Sequence, residues 1–148
     1  MSPKVAAPSL DDLRAQIRES GLRATAPRIA VLRGLLAAKS PLSHAELVEK
    51  LAAEGWDRAT IYRNLTDLTE VGLARRTDLG DHVWRFEAKT ETAEHSKSTH
   101  PHFLCDDCGN VMCLPDQSVQ IVAARGAPRA LRGKGLEIQV RGRCDRCG

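Results

Sequence analysis

The stretch WDRATIYRNLTDLTEVGLARR, residues 56–76, predicts the fold of the N-terminal half of the chain. Asp57 suits the N-cap of a helix, and Gly72 suits its end. One apolar stripe at helical spacing is formed by Ile61, Leu65 and Leu68. The first turns also carry side chains that can donate to the phosphates and base edges of DNA, namely Arg58, Thr60, Tyr62, Arg63 and Asn64.

Residues 73–87, LARRTDLGDHVWRFE, change from a helical pattern to a strand pattern. Two stretches that suit strands flank the turn signal at residues 79–81, which predicts a β-hairpin. The hairpin carries three arginines, Arg75, Arg76 and Arg85, and we predict Arg75 and Arg76 as further DNA contacts. A capped helix followed by a basic hairpin resembles a DNA-binding winged helix. The alternative interpretation is a charged, solvated helix in a protein–protein interaction module.

Three shorter helices are predicted before this segment. Ser9 and Asp12 form a capping-box pattern that begins the first helix, and Gly21 ends it. The second, TAPRIAVLRGLLAA at residues 25–38, has Pro27 in its first turn. The third, at residues 43–55, repeats the pattern with Ser43, Glu46 and Gly55. Four short helices in tandem therefore precede the hairpin.

The 148-residue chain has a formal net charge of +3, which is too small to indicate nucleic-acid binding by itself. Its first residues show no apolar signal region, and no long apolar run follows, so we expect a cytoplasmic protein. The polar stretch KTETAEHSKST, residues 89–99, indicates a hinge. The predicted domains are residues 1–87, a hinge at 88–99, and residues 100–148.

The C-terminal domain is predicted to contain short strands and one helix. Strands are expected at HFLC (102–105), NVMCL (110–114) and LEIQVRG (136–142), and a helix near DQSVQIVAA (116–124). Four of the five cysteines form two C-x-x-C pairs, Cys105/Cys108 and Cys144/Cys147. In a cytosolic chain this pattern favours a closed tetrahedral Zn²⁺ site with a structural role.

His100 and His102 cannot join that saturated site. On a strand, an H-x-H pair points both imidazoles to one side, about 7 Å apart at their Cα atoms, which suits a second metal. Two solvated histidines beside a linker are the alternative. Further candidate ligands are Glu87 and Cys113 and, less strongly, His82, His44 and His95.

Taken in order, several motifs make the chain similar to the ferric uptake regulator family of metal-responsive bacterial transcription factors. They are GLRATAPRIAVL, ATIYRNLTDLTEVGL, GDHVWRFE, HPHFLCDDCGNV and RGRCDRCG. The resemblance implies an α+β protein: an N-terminal winged-helix DNA-binding domain, followed by a small α/β dimerisation domain with a four-cysteine zinc site. It further implies a homodimer that binds an A/T-rich palindromic operator in double-stranded DNA when a regulatory metal is bound.

The resemblance implies a repressor of metal-homeostasis or oxidative-stress genes that senses Zn²⁺ or Fe²⁺. Glu87, His100 and His102 match its regulatory ligands, and Tyr62 and Arg63 match its DNA contacts. Two departures are informative. Many relatives have a histidine near the position of Pro41, whereas His44 here stands three residues later. Cys113 stands where iron and peroxide sensors often have a carboxylate, and this softer ligand favours the zinc-sensing branch.

Other function classes are less well supported. His44-Ala45-Glu46 spells the H-x-E of zinc deaminases, but Leu104 rather than proline precedes Cys105, and the two motifs lie in different predicted domains. A small zinc-dependent hydrolase would have no obvious base other than Glu87. A zinc-storage or chaperone protein would need the same ligands but not the arginine-rich winged helix. The chain is therefore predicted not to be an enzyme, and storage and hydrolysis are the alternatives.

Overall fold

The computed structural model describes residues 7–89, 101–115, 118–133 and 136–148. The chain divides into two compact units, Met1–Ala93 and Glu94–Gly148. Most of the predicted hinge at 88–99 lies outside the described residues, as do His95 and His100. Among the helices described, none has the length and apolar character needed to cross a membrane.

Four α-helices form most of the first unit: α1 Leu10–Glu19, α2 Ala26–Ala37, α3 His44–Lys50 and α4 Arg58–Glu70. The predicted N-caps are confirmed. Ser9 and Ser43 each make a capping box with the acidic residue three positions later, and Asp57 accepts the backbone N–H of Thr60 at 3.0 Å. These caps satisfy N–H groups that have no partner inside the helix. The third helix is shorter than predicted and ends at Lys50, with a 3-10 turn before Gly55.

The helices pack around one apolar core. Its buried members come from α1 to α4, from the residue that follows α3 and from two strands: Leu13, Ile17, Ile29, Ala30, Val31, Leu32, Leu35, Leu47, Leu51, Ile61, Leu65, Leu68, Ala74 and Phe86. The predicted stripe of α4 lies entirely within this set. Burial of such a stripe fixes the rotation of α4 about its axis, because only one face of the helix can meet the core.

The predicted hairpin is confirmed as β2 Ala74–Asp78 paired antiparallel with β3 Trp84–Ala88. A two-residue strand that was not predicted, β1 Leu42–Ser43, pairs with the other edge of β3. The strand order is therefore β1-β3-β2. Because β1 leads directly into α3, the sheet holds the start of α3 as well as the hairpin.

In the second unit, β4 His102–Cys105 lies between β5 Val111–Cys113 and β6 Gln139–Gly142. The β4–β5 pair is antiparallel and the β4–β6 pair is parallel. The three predicted strands are thus present: β4 has the predicted bounds, and β5 and β6 are shorter than predicted. A short 3-10 helix covers Arg129–Arg132.

The predicted helix near residues 116–124 is wrong for its described part, since residues 119–124 have no regular secondary structure. Residues 116 and 117 lie outside the described chain. Ile121 and Val122 are exposed by 44% and 83%. A short helix in water depends on packing of its apolar face, and these side chains lack that packing.

Candidate metal centres and nucleic-acid interface

The four cysteines of the two C-x-x-C pairs come together in the second unit. The ligand atoms of Cys105, Cys108, Cys144 and Cys147 all lie within 4.8 Å of one another. Cys108 Sγ and Cys144 Sγ are 3.7 Å apart. A tetrahedral zinc with Zn–S bonds of about 2.3 Å requires sulfur atoms about 3.8 Å apart. The cluster therefore fits a structural Zn²⁺ bound by four thiolates.

Strand pairing explains why the end of the chain reaches the first cysteine pair. The parallel register of β4 and β6 places Cys105 opposite Gly142, two residues before Cys144. The backbone N–H of Cys144 then donates to Cys105 Sγ at 3.4 Å. Gly109 closes the first cysteine turn with a φ of 68°, a conformation that glycine adopts without steric cost.

Two ion pairs between the turns were not predicted from the sequence. Arg141 contacts Asp106 at 2.8 Å, and Arg143 contacts Asp107 at 3.2 Å. Each pair joins the β4 turn to the C-terminal segment. Alternating arginines and a pair of aspartates are common on protein surfaces, so only the β4–β6 register identifies them as partners.

Hydrogen bonds shift the pKa values of Cys105, Cys144 and Cys147. Backbone N–H donation, led by Cys108, lowers the pKa of Cys105 to about 6. The pKa of Cys144 is also lowered, chiefly by the backbone N–H of Arg146. The pKa of Cys147 is raised to about 12, chiefly through its hydrogen bond with Cys144. Four adjacent thiolates repel one another, and a bound dication would stabilise all of them together.

His102 and Cys113 lie opposite each other on the antiparallel strands β4 and β5. Directly opposed residues project to the same face of a sheet, with Cβ atoms about 5 Å apart. His102 is only 4% exposed, and Cys113 is partly buried. The strand pair thus places an imidazole and a thiol side by side, which is a donor set that suits Zn²⁺.

Glu87 belongs to the first unit, where β3 pairs with β2. The register places Glu87 opposite Arg75, and Arg75 Nε donates to Glu87 Oε1 at 3.0 Å. The same carboxylate oxygen accepts from Arg75 Nη2. Arg75 was predicted as a DNA contact from its basic charge alone, and the structure shows that this charge is engaged by a candidate metal ligand.

Two further histidine candidates, His82 and His44, lie at different places in the first unit. His82 follows the hairpin turn with a φ of 60°, and its side chain is 95% exposed beside Asp78. His44 begins α3, where its Nε2 is 2.8 Å from the backbone oxygen of Arg58. Its ring meets that of Tyr62 edge to face. These contacts connect two helices and could not be inferred from local sequence.

The outer face of α4 carries exposed Arg58, Tyr62 and Arg63, with Thr60 partly exposed. Asn64 departs from the expectation of an exposed donor: it is 5% exposed, and its amide donates to the backbone oxygen of Thr60 at 2.9 Å. Asn64 falls on the inner side of the helix, next to Leu65, which explains its burial.

The other two hairpin arginines also contact neighbouring side chains of the hairpin. Arg85 is 6% exposed and pairs with Asp81 at 2.8 Å. This contact lowers the pKa of Asp81 below its ordinary value. Arg76 stacks over Trp84, with its guanidinium carbon 4.2 Å from the ring centroid. Arg76 is exposed, so it presents the hairpin's positive charge to solvent.

A capped helix with a basic outer face, a β-hairpin beside it and a separate unit with a four-thiol cluster define the class of winged-helix proteins with a metal centre. The family model described as "Ferric uptake regulator family" matches residues 19–136. The chain belongs to this family, which confirms both the predicted resemblance and the α+β fold of an N-terminal winged-helix domain followed by a small α/β domain.

The chain is also similar to individual proteins. The peroxide-responsive repressor PerR of Staphylococcus aureus (strain Mu50) is 29% identical over 105 residues, which span 70% of this chain and 66% of that protein, slightly less than two thirds of its length. The ferric uptake regulator of Vibrio cholerae has a TM-score of 0.67 at 24% identity, covering 90% of this chain and 100% of the other. The Pseudomonas aeruginosa regulator with manganese has a TM-score of 0.59 at 25% identity, covering 86% and 96%.

Proposed function

We propose that this chain is a cytoplasmic, metal-dependent transcriptional regulator that binds operator DNA as a homodimer. One observation carries the proposal: α4 buries its apolar stripe in the core and presents Arg58, Tyr62 and Arg63 to solvent. An exposed, N-capped helix of this kind suits the major groove, where its first turns reach base edges and phosphates. Family membership supports the same function.

The proposed DNA-binding set is narrower than the sequence prediction. It keeps Arg58, Thr60, Tyr62 and Arg63 on α4 and Arg76 on the hairpin. Buried Asn64 is left out, because its amide is used inside the helix. Arg75 is also left out as a direct DNA contact, because its guanidinium forms an ion pair with Glu87. We propose an A/T-rich palindrome as the operator and repression as the outcome.

For the regulatory metal we propose Glu87, His100, His102 and Cys113 as ligands. The pairing of His102 with Cys113 supports this set, because two donors of the kind that zinc prefers face the same side of the sheet. The role of Glu87 and His100 rests on the family resemblance. A site with one thiolate is softer than an all-nitrogen and oxygen site, so we propose Zn²⁺ as the regulatory ion and Fe²⁺ as the alternative.

The proposed mechanism is a shift in population between arrangements of the two units. A metal bound by Glu87 from the first unit and His102 from the second would favour arrangements that satisfy both ligands. In a dimer, this would set the spacing of the two α4 helices to match half-sites one turn of DNA apart. The affinity for DNA would then follow the metal concentration.

A regulatory role is favoured over catalysis because the candidate base is engaged. Glu87, the carboxylate that a hydrolase would use to activate water, accepts a hydrogen bond from Arg75 Nε at 3.0 Å. A storage or chaperone role would explain the metal ligands but gives no function to the exposed residues of α4.

The proposal is tested by selecting duplexes from a random-sequence pool with the metal-loaded protein and measuring the affinity of the selected duplex. We expect binding to depend on free metal and to weaken steeply with salt, as phosphate contacts require. DNA binding that does not depend on metal would contradict the proposed sensor function. Failure to select any duplex, with two metals bound per subunit, would support storage instead.

A further inference from the structure

We propose that His44 is a positioning residue of the DNA-binding face, which holds the ring of Tyr62 in the orientation that contacts the operator. The inference rests on the proposed function of α4. It assigns His44 to the DNA-binding surface and not to the regulatory metal.

The backbone of His44 is fixed by the residues before and after it. Ser43 caps α3, with its backbone N–H donating to Glu46 Oε2 at 2.7 Å. Ser43 and Leu42 also pair with β3, in register with Arg85 and Phe86. The imidazole therefore projects from a point held by both the sheet and a capping box.

The hydrogen bond of His44 determines which of its ring nitrogens carries a proton. Nε2 is 2.8 Å from the carbonyl oxygen of Arg58, and a carbonyl oxygen only accepts hydrogen bonds. Nε2 therefore carries hydrogen and has no lone pair to give to a metal. Metal binding through this nitrogen would require the contact with α4 to break.

The same ring contacts the next turn of α4. The centroids of His44 and Tyr62 are 5.4 Å apart, with an interplanar angle of 74°, which is the favoured edge-to-face arrangement of aromatic rings. Arg58 and Tyr62 are four residues apart, so they lie on one face of the helix. The imidazole of His44 thus contacts two successive turns of α4, the proposed DNA-binding helix.

This contact matters because Tyr62 is otherwise exposed. Its exposed fraction is 48%, and an exposed side chain loses rotamer freedom when it binds. Ordering one such side chain in advance improves affinity by about 2- to 10-fold. We therefore expect His44→Ala to weaken operator binding by about that factor, with no change in the amount or affinity of bound metal.

The chain contains a single tyrosine, which allows a direct measurement of the contact. Protein labelled with 3-fluorotyrosine gives one ¹⁹F resonance, from Tyr62. His44→Phe keeps a ring but removes the donor, and His44→Gln keeps an N–H donor but removes the ring. We expect each to shift the resonance, His44→Ala to shift it most, and Glu49→Gln, at an exposed position of the same helix, to leave it unchanged.

A double-mutant cycle then tests the role in binding. The duplex is one selected by the wild-type, metal-loaded protein, and circular dichroism melting checks that each variant is folded. We expect His44→Ala to weaken binding in the wild type but to have no further effect in a Tyr62→Ala background. Equal effects in both backgrounds, or unchanged binding in the wild type, would overturn the proposal.

Metal analysis separates the remaining outcomes. Loss of one ion per subunit in His44→Ala would make His44 a ligand and overturn the proposal. If the wild type selects no duplex at all, the proposed function fails, while the ¹⁹F shifts still decide whether His44 positions Tyr62. An unshifted resonance in all three variants would refute the contact itself.

Discussion

The two units of this chain are stabilised in different ways. The first has a continuous apolar core shared by four helices and the sheet. In the described part of the second, the buried hydrophobic side chains are Leu104, Cys105, Val111 and Cys144, and two of these are thiols of the four-cysteine cluster. Burial of apolar surface therefore stabilises the first unit, whereas we expect the second to need a metal at its four-cysteine cluster.

The second unit contains two sets of metal-binding side chains, which we expect to have different roles. The four-cysteine cluster is complete within one unit and fits a saturated tetrahedral ion. His102 and Cys113 contribute two donors, and the proposed site needs ligands from elsewhere in the chain. A site completed by one unit supports folding, while a site that needs both can report metal by changing their arrangement.

The largest expected effect comes from Cys144→Ser. Loss of one thiolate should release the structural zinc and unfold the second unit, because its few buried apolar residues cannot replace the metal. The first unit should remain folded. Zinc content and residue-resolved NMR would measure both effects, with Cys113→Ser as the matched control that retains this zinc. A second unit that stays folded without zinc would contradict the comparison.

Leu65→Ala should have the converse effect. Leu65 is fully buried in the core of the first unit, and truncation of a buried leucine costs about 2–5 kcal/mol. The free energy of unfolding of the first unit should fall by that amount, while zinc retention by the second unit should not change. Chemical denaturation with separate probes for the two units would test this. Release of zinc by Leu65→Ala would show that the units do not fold independently.

Cys113→Ser should remove the regulatory metal without affecting the structural zinc. We expect loss of one ion per subunit with the four-cysteine zinc retained, and loss of metal-dependent DNA binding with no loss of folding. Metal analysis and operator titration measure this directly. His102→Ala should give the same result, and loss of both ions in either variant would show that the assignment of ligands is wrong.

A smaller effect is expected from Arg75→Ala. If Glu87 is a regulatory ligand as proposed, its ion pair with Arg75 would compete with the metal for the same carboxylate. Partly exposed ion pairs contribute up to about 1 kcal/mol. Removing Arg75 should tighten regulatory-metal binding up to about fivefold. Arg76→Ala is the control, because its guanidinium stacks on Trp84. Weaker metal binding in Arg75→Ala would mean that the ion pair orients Glu87 instead of competing for it.

The smallest effect concerns pH. The hydrogen bond with Thr60 lowers the pKa of Asp57 below its ordinary value of 3.8. A carboxyl whose folded pKa is depressed stabilises the fold above its unfolded pKa, and this contribution is lost as the pH falls through the folded pKa. The melting temperatures of the wild type and Asp57→Asn, measured from neutral pH to below 3.8, should therefore converge in acid. A constant difference would exclude ionised Asp57 as the source of stability.

Local signals made much of this molecule predictable. The caps Ser9, Ser43 and Asp57 depend on residues three positions away, and cysteine spacing alone predicted the four-thiol cluster. Helical spacing places Asn64 on the same face as Ile61, Leu65 and Leu68, so its burial could have been predicted. The Arg75–Glu87 pair and the His44–Tyr62 contact depend on packing between distant segments, so no local pattern encodes them. The prediction of a helix near residues 116–124 is wrong for its described part, because its apolar residues lack a surface to pack against.

The most direct test of the two-metal account is operator binding measured against buffered free Zn²⁺. Protein whose four-cysteine site is already filled should bind the selected duplex weakly, and affinity should rise as a second ion per subunit binds. Cys113→Ser should keep the first ion and lose this rise. Full operator affinity with one zinc per subunit, or a rise that survives in Cys113→Ser, would contradict the account.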